Sequence, residues 1–298
     1  MKILIEATGS LTSNFLIKAI HDSGHIAIGS DISDFNHSKI LCDEFIIMPK
    51  VDDKELWNKI SGLLEKYQID IVIPSLDETL LDWSKRVNYF KSNNIDVIIS
   101  PEYTIDTFQD KWKTYQFFKD IGVLTPNTSL ESTYQIIKPR FGRGGSGIFE
   151  NDFNTKISMD NMISQEKIIG REYTVDTFFN IDGEPIYIVP RLRIDVKNGK
   201  STKGIVVQND EINELIIKIA NKITFYGPIN FQLFETEEGQ YYFIEINPRI
   251  AGGMALGIAA TANWIQLIVD NFIHKKKIEV QEIKYGMKMV RFYDEIFI

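Results

Sequence analysis

Strand and helix signals alternate through residues 1–100, and that alternation restricts the fold more than any other feature of the chain. Short apolar runs at 3–5, 26–28, 45–48, 69–73 and 97–99 read as buried strands. Helical periodicity occupies 11–22, 55–67 and 80–90. In the first of these, Phe15, Leu16, Ala19 and Ile20 share a face and Gly24 supplies a stop. Pro49, Pro74 and Pro101 follow three of the strand runs. Parallel neighbours need a crossover long enough for a helix, so this order predicts a parallel sheet covered on both faces. Ligands of such sheets bind beyond the carboxyl ends of the strands.

The pattern changes near Pro101. Helices are expected at 104–108 and 111–121, the second closed by Gly122. Short, mostly antiparallel strand signals then run to about 208. A helix at 212–224 precedes strands at 227–235 and 240–246, which a Glu237-Glu238-Gly239 turn joins. A helix at 263–274 and a strand at 287–293 close the chain. The expected division is two domains, 1–100 and 101–298, consistent with a length of 298 residues. The second domain divides into a small part near 125–170 and a larger one at 171–298, giving α/β followed by α+β.

Charge and cysteine content exclude several classes. Lys+Arg is 33 against 41 Asp+Glu, a net charge of −8, which disfavours duplex nucleic acid as a partner. Cys42 is the only cysteine, so neither an internal disulfide nor a cysteine-rich metal site can form. No apolar run approaches the ~20 residues of a membrane span, and the opening MKILIEATGS breaks at Glu6, unlike a signal peptide. The expectation is a cytoplasmic protein without membrane or nucleic-acid partners.

Three segments carry chemistry. In IIKPRFGRGGSGI (136–148), Lys138 ends a strand and Gly142, Gly144, Gly145 and Gly147 follow. Glycines let successive backbone amides surround an anion, and Lys138, Arg140 and Arg143 add positive charge, so a polyphosphate suits the loop. A solvated surface hairpin has the same composition. In FIEINPR (243–249), strand alternation places Glu245 and Asn247 on one face and Ile244 and Ile246 on the other. Pairing with INFQLF (229–234) adds Gln232, an oxygen-rich set suited to Mg²⁺; an amphipathic hairpin facing water is the alternative. In ISQEKIIGREYTVDTFF (163–179), a strand turns at Gly170, where exposed backbone and Glu172 suit a purine nucleoside. In the N-terminal part, EATGSLTSN (6–14) with Asp31 is a poor match to a dinucleotide turn, which needs three glycines. Ser75 is expected to cap the helix carrying Asp77 and Glu78, with one of these acids facing a substrate.

The order of these segments resembles the ATP-grasp superfamily, in particular the carbamoyl-phosphate-synthase-like ligases, over nearly the whole chain. The resemblance implies a Rossmann-like pre-ATP-grasp domain, then an ATP-grasp domain using ATP and Mg²⁺ (or Mn²⁺). It assigns Lys111, after Asp110, together with Lys138, Gly144, Gly145 and Ser146 to the nucleotide phosphates. Glu166, Lys167 and Ile168 correspond to the adenine hinge and Glu172 to the ribose ligand. Gln232, Glu245 and Asn247 correspond to the metal ligands, and Arg249, with Lys138, to the catalytic cations. The implied reaction joins a small carboxylate to an amine, or sometimes a thiol, through an acylphosphate, releasing ADP and phosphate; relatives are often dimers. Two departures stand out: the clamping subdomain is short, and Gln232 replaces an acid. Arg191, Arg193 and Lys203 are candidates for the acceptor pocket, which is expected near Glu6, Ala7, Thr8, Asp77, Glu78 and Gly252–Gly253. The competing readings are a catalytically weak nucleotide-binding module within a complex and a Rossmann dehydrogenase using Gly9 and Asp31.

Overall fold

The computed structural model describes residues 1–10, 13–142, 145–155, 157–197, 200–292 and 294–297. The N-terminal part is a parallel sheet of order β3-β2-β1-β4-β5, made of β1 (Lys2–Ile5), β2 (Ile26–Asp31), β3 (Glu44–Ile47), β4 (Ile71–Ile73) and β5 (Asp96–Val97). Crossing between them are α1 (Asn14–Asp22), α2 (Ser38–Leu41), α3 (Leu56–Tyr67), α4 (Asp77–Lys85) and α5 (Val87–Ser92). The one helix expected over 80–90 is thus two, separated at Arg86, and α1 begins after Leu11 and Thr12, which lie outside the described residues.

Period-2 alternation in β1 divides the apolar residues between two cores. Ile3 and Ile5 enter one buried cluster and Leu4 enters the other. The second cluster contains Trp83, whose ring meets Trp57 edge to face at 5.0 Å. The first is shared with the C-terminal part: Leu16, Ile17 and Ile20 of α1 pack with Trp264, Ile265 and Ile268. Burying each such side chain contributes about 1.5–3 kcal/mol, so the two parts are held by a common core. Asn263 Nδ2 adds a hydrogen bond of 2.7 Å to the Ala19 carbonyl.

Next come α6 (Glu102–Gln109) and α7 (Lys111–Asp120), then β6 (Thr128–Ser129), β7 (Ile136–Pro139), β8 (Phe149–Glu150) and β9 (Met162–Gln165). These four strands form a small antiparallel sheet of order β6-β9-β7-β8, with no helix among the described residues from Thr128 to Gln165.

The main antiparallel sheet has the order β14-β13-β10-β11-β12-β15. Its strands are β10 (Arg171–Phe179), β11 (Pro185–Lys197), β12 (Lys200–Val206), β13 (Gly227–Glu235), β14 (Tyr241–Asn247) and β15 (Lys288–Val290). Helix α8 (Asp210–Ala220) precedes β13, and α9 (Ala255–Ala260) and α10 (Trp264–Ile268) precede β15. The helix expected at 263–274 continues from α10 as a π-helical turn, Val269–Ile273. One face of this sheet is apolar: Tyr173, Val175, Phe231, Leu233, Phe243 and Ile246 pack on Phe118 of α7 and on Ile212, Ile216 and Ile219 of α8. The other face is polar and carries the candidate site.

Candidate functional site

Strand register assembles the polar face. Thr174 pairs with Arg191 on one side and Gln232 on the other, and Asp176 pairs with Asn230. On β14, Asn247 pairs with Asn230 and Glu245 with Gln232. The ladder then skips one residue: Leu233 pairs with Phe243, leaving Ile244 as a bulge. This corrects the alternation expected from sequence. Ile244 lines the same cavity as Glu245 rather than the opposite face, because the extra residue breaks the two-residue period.

Two cavities lie on this face. The smaller, of about 260 Å³, lies under the glycine loop and is lined by Lys111, Lys138, Gly145, Ser146, Glu172 and Ile244, among others. The larger, of about 610 Å³, opens between the N-terminal sheet and the main sheet, bounded by Glu6, Ala7 and Asp31 on one side and Asn247, Arg249 and Gly252–Gly253 on the other. Arg193, Gln232 and Glu245 line both cavities, so these three side chains stand where the cavities adjoin.

Lys138 sits on β7, nearly inaccessible to solvent, and donates to Gln165 Oε1 at 2.7 Å. Burial brings its pKa down to about 8; Glu245 opposes the fall and Lys111 adds to it. An anion in the cavity favours the charged form, so binding is strongest below the pKa of the free protein and declines above it. The expected result is that affinity for Mg·ATP falls about tenfold as pH rises from 7 to 9. In Lys138→Arg, which stays charged, titration calorimetry across that range should show no such step. A pH-independent wild type would refute the role of the lysine charge.

Lys111 opens α7, and its Nζ donates to the Gly142 carbonyl at 2.9 Å, tying helix to loop. The preceding Asp110 caps α7 by accepting from the Trp112 amide at 3.0 Å. Its carboxylate also receives Arg140 Nε at 2.7 Å and Nη2 at 2.6 Å. The Arg140 guanidinium thus anchors the root of the loop rather than facing the cavity. Gly144 and Arg143 lie outside the described residues.

Glu172 lines the smaller cavity and pairs with Arg193. Burial raises its pKa, against the pull of Arg193. Glu166, Lys167 and Ile168 follow β9 in the link to β10 and line neither cavity. The Glu166 carboxylate accepts from Asn127, Nδ2 at 3.0 Å and the backbone amide at 3.1 Å, and its own amide donates to the Asn127 carbonyl. Lys167 pairs with Glu150. The preceding residue, Gln165, is the one that bonds Lys138.

Arg249 is held in place by the N-terminal part of the chain. Its Nε and Nη2 donate to the two carboxylate oxygens of Asp77, each at 2.7 Å, and Nη2 also reaches Asn247 Oδ1 at 3.2 Å. Burial opposes the charge, but Asp77, Glu245 and Glu78 outweigh it and hold the pKa above the ordinary arginine value. Sequence reading placed Asp77 near the site without finding this partner, because the two residues lie 172 positions apart.

The expected Ser75 cap is not formed. The residue before α4 is Leu76, without a side-chain cap, and Ser75 Oγ donates to the Glu6 carbonyl at 2.8 Å. Instead the Glu6 carboxylate, from the end of β1, accepts the Ser75 amide at 3.1 Å and Trp83 Nε1 at 2.8 Å. Burial raises its pKa despite these donors. Asp31 Oδ2 accepts the Gly9 amide at 2.9 Å; a Cβ on Gly9 would stand 2.7 Å from that oxygen. Of the other acceptor candidates, Arg191 and Arg193 line the larger cavity, whereas Thr8, Glu78 and Lys203 do not. Arg291, which also lines it, was missed, because it lies at the far end of the chain from every motif.

The fit to a divalent cation rests on donor chemistry. Gln232, Glu245 and Asn247 offer hard oxygens on one face, with a single carboxylate, as suits a partly hydrated Mg²⁺. Among the described residues, no three His, Cys, Asp or Glu side chains cluster as a metal site.

The chain is similar to several known proteins. Residues 158–294 match the family described as ATP-grasp in the biosynthetic pathway with Ter operon, and residues 3–98 match the PylC-like N-terminal domain. The carbamoyl phosphate synthase large chain of Clostridium beijerinckii is 27% identical over 72% of this chain, which spans only 23% of that relative's length. N5-Carboxyaminoimidazole synthetase from Staphylococcus aureus, solved with ADP, superposes with a TM-score of 0.75 at 18% identity, covering 98% of this chain and 82% of its own. The biotin carboxylase domain of Hydrogenobacter thermophilus 2-oxoglutarate carboxylase, solved with MgADP and bicarbonate, gives 0.74 at 17% identity, covering 96% and 73%. No described helix is long and apolar enough to cross a membrane. Residues 158–294 are thus similar to an ATP-grasp family and residues 3–98 to the PylC-like N-terminal domain, and the chain has the fold of these solved enzymes.

Proposed function

We propose that this protein is an ATP- and Mg²⁺-dependent ligase that joins a small carboxylate to an amine through an acylphosphate, releasing ADP and phosphate. The observation that carries the reading is the shared wall: Arg193, Gln232 and Glu245 face both the glycine-loop cavity and the larger cavity. A nucleotide in the first directs its terminal phosphate toward a carboxylate in the second. Phosphoryl transfer needs little covalent chemistry from the protein and much positioning and charge neutralisation.

In this reading Lys111, Lys138, Gly145 and Ser146 bind the polyphosphate, and Glu172 holds the ribose. Gln232, Glu245 and Asn247 hold Mg²⁺, which neutralises charge on the phosphates; Mn²⁺ is an alternative occupant. Arg249, oriented by Asp77, stabilises the transferring phosphoryl group and the acylphosphate. The substrate carboxylate oxygen forms a bond to the γ-phosphorus as the bond to the β-γ bridging oxygen breaks, leaving ADP. The amine then attacks the acyl carbon, loses a proton and expels phosphate.

One observation favours a second reading, a nucleotide-binding module acting within a complex: the small sheet has no helix among its described residues to cover a bound nucleotide. Phosphate and pyrophosphate release, followed separately with Mg·ATP and pooled acids and amines, distinguishes them. The ligase gives phosphate only, and only with a particular pool. ATP binding without stimulated release by any pool, with partner proteins absent, selects the module.

A further inference from the structure

Four guanidinium groups line the larger cavity, and three of them are compensated. Arg249 is clamped by Asp77, Arg191 by Asp176, and Arg193 by Glu172. Arg291 differs. It extends the ladder of β15, its amide donating to the Thr202 carbonyl at 2.9 Å, and its Nη2 reaches the Gly252 carbonyl. Among the described residues it has no ion pair with a carboxylate, although it is only partly exposed. Burial lowers its pKa and the like charge of Arg191 lowers it further, with Asp176 acting the other way. A partly buried cation that feels the like charge of a neighbouring arginine is stabilised by an incoming anion. A guanidinium fork is shaped for the two oxygens of a carboxylate.

The opposite wall has the converse property. Asp31, half-exposed to the same cavity, accepts backbone amides from Gly9 and Ile32 but pairs with no cation among the described residues. Among the described residues the cavity therefore presents one guanidinium without an ion pair, from the main sheet, facing the carboxylates of Glu6 and Asp31 on the N-terminal side, which have none either. A zwitterion matches both.

We propose that Arg291 is a specificity-determining residue that holds the α-carboxylate of an amino acid substrate, with the amino group directed to the Asp31 wall. The assignment deepens the ligase reading and rests on it for which substrate is bound, but not for whether an amino acid binds.

The test is titration calorimetry of the full chain, with and without Mg²⁺ and a non-hydrolysable ATP analogue. The probes are the common α-amino acids and the carboxamide of each. At least one amino acid is expected to bind the wild type about ten- to a hundredfold more tightly than its carboxamide, the value of a charge-assisted pair. Arg291→Gln should remove that preference while nucleotide analogue affinity changes by less than about twofold. Arg291→Lys, which keeps the charge but not the fork, should retain part of it. The retained nucleotide affinity shows that the variants are folded. The proposal is overturned if no amino acid is preferred over its carboxamide, or if the preference survives in Arg291→Gln. Loss of the ligase reading appears separately, as a wild type that binds the amino acid but no nucleotide analogue.

Discussion

Replacing Glu245 by Gln should lower substrate-stimulated phosphate release by about a thousandfold or more, the scale of losing a principal electrostatic stabiliser of a transition state. Glu245 supplies the only carboxylate among the three oxygen donors Gln232, Glu245 and Asn247. A divalent cation tolerates amide oxygens but depends on charge for affinity, so the amide isostere removes what Gln232 and Asn247 cannot replace. The cations suffer as well. Glu245 supports the charged form of both Lys138 and Arg249, so its loss weakens the phosphate site from the protein side. Glu245 is exposed to both cavities rather than sealed in the core, so Glu245→Gln and Glu245→Ala should both fold, with wild-type circular dichroism. A Mg²⁺ titration locates the defect: the half-saturating concentration rises in Glu245→Gln, and high Mg²⁺ restores part of the rate. Retention of more than about a tenth of wild-type turnover would sink the metal assignment, since the expected loss corresponds to about 4 kcal/mol.

What the sequence revealed and concealed follows from the range over which each signal acts. Strand and helix periods are local, so the parallel sheet and the β13–β14 hairpin were legible to within a few residues. Gln232, Glu245 and Asn247 shared a face because alternation sufficed to place them, and the Ile244 bulge defeated the same rule one residue away. A bulge follows from how two strands pair, which no single strand encodes. The long-range pairs were invisible for a related reason. Asp77 and Arg249 are surface-type residues in their own segments, and only the meeting of the two sheets makes them a partly buried pair. The hold of Glu6 on the segment leading into α4 belongs to the same class, as a local motif directed attention to Ser75 instead. The assignments at Glu166, Lys167 and Ile168 came from motif order, which carries no information about the side-chain bonds that Glu166 makes to Asn127 and Lys167 to Glu150.

The largest stability effect is expected away from the chemistry, at Asp176. Its carboxylate receives Arg191 Nε at 2.5 Å and Nη2 at 2.8 Å, and Asn230 Nδ2 at 2.9 Å. The side chains of Asp176 and Arg191 are 0% and 1% exposed, so Asp176→Ala would leave a guanidinium in the core without a counter-charge. Stranding one member of a buried pair costs about 3–5 kcal/mol, a large part of a typical folding free energy. Relaxation is restricted, because the space around the pair is already taken. A Cβ on Gly257 would stand 2.6 Å from Asp176 Oδ2, and one on Gly253 would stand 3.0 Å from Arg191 Nη2. The pair therefore sets how closely the Gly252–Gly253 loop and α9 approach the sheet, and with them one wall of the larger cavity. A surface pair provides the contrast: Lys18 and Asp22 are 74% and 54% exposed, and Asp22→Ala should change stability by less than about 0.5 kcal/mol. Equilibrium urea unfolding measures both. The double change Asp176→Leu with Arg191→Met should recover much of the loss, because an apolar pair of similar volume carries no desolvation cost. If Asp176→Ala unfolds within about 1 kcal/mol of wild type, Arg191 has found water or another anion, and the loop is not held by this pair.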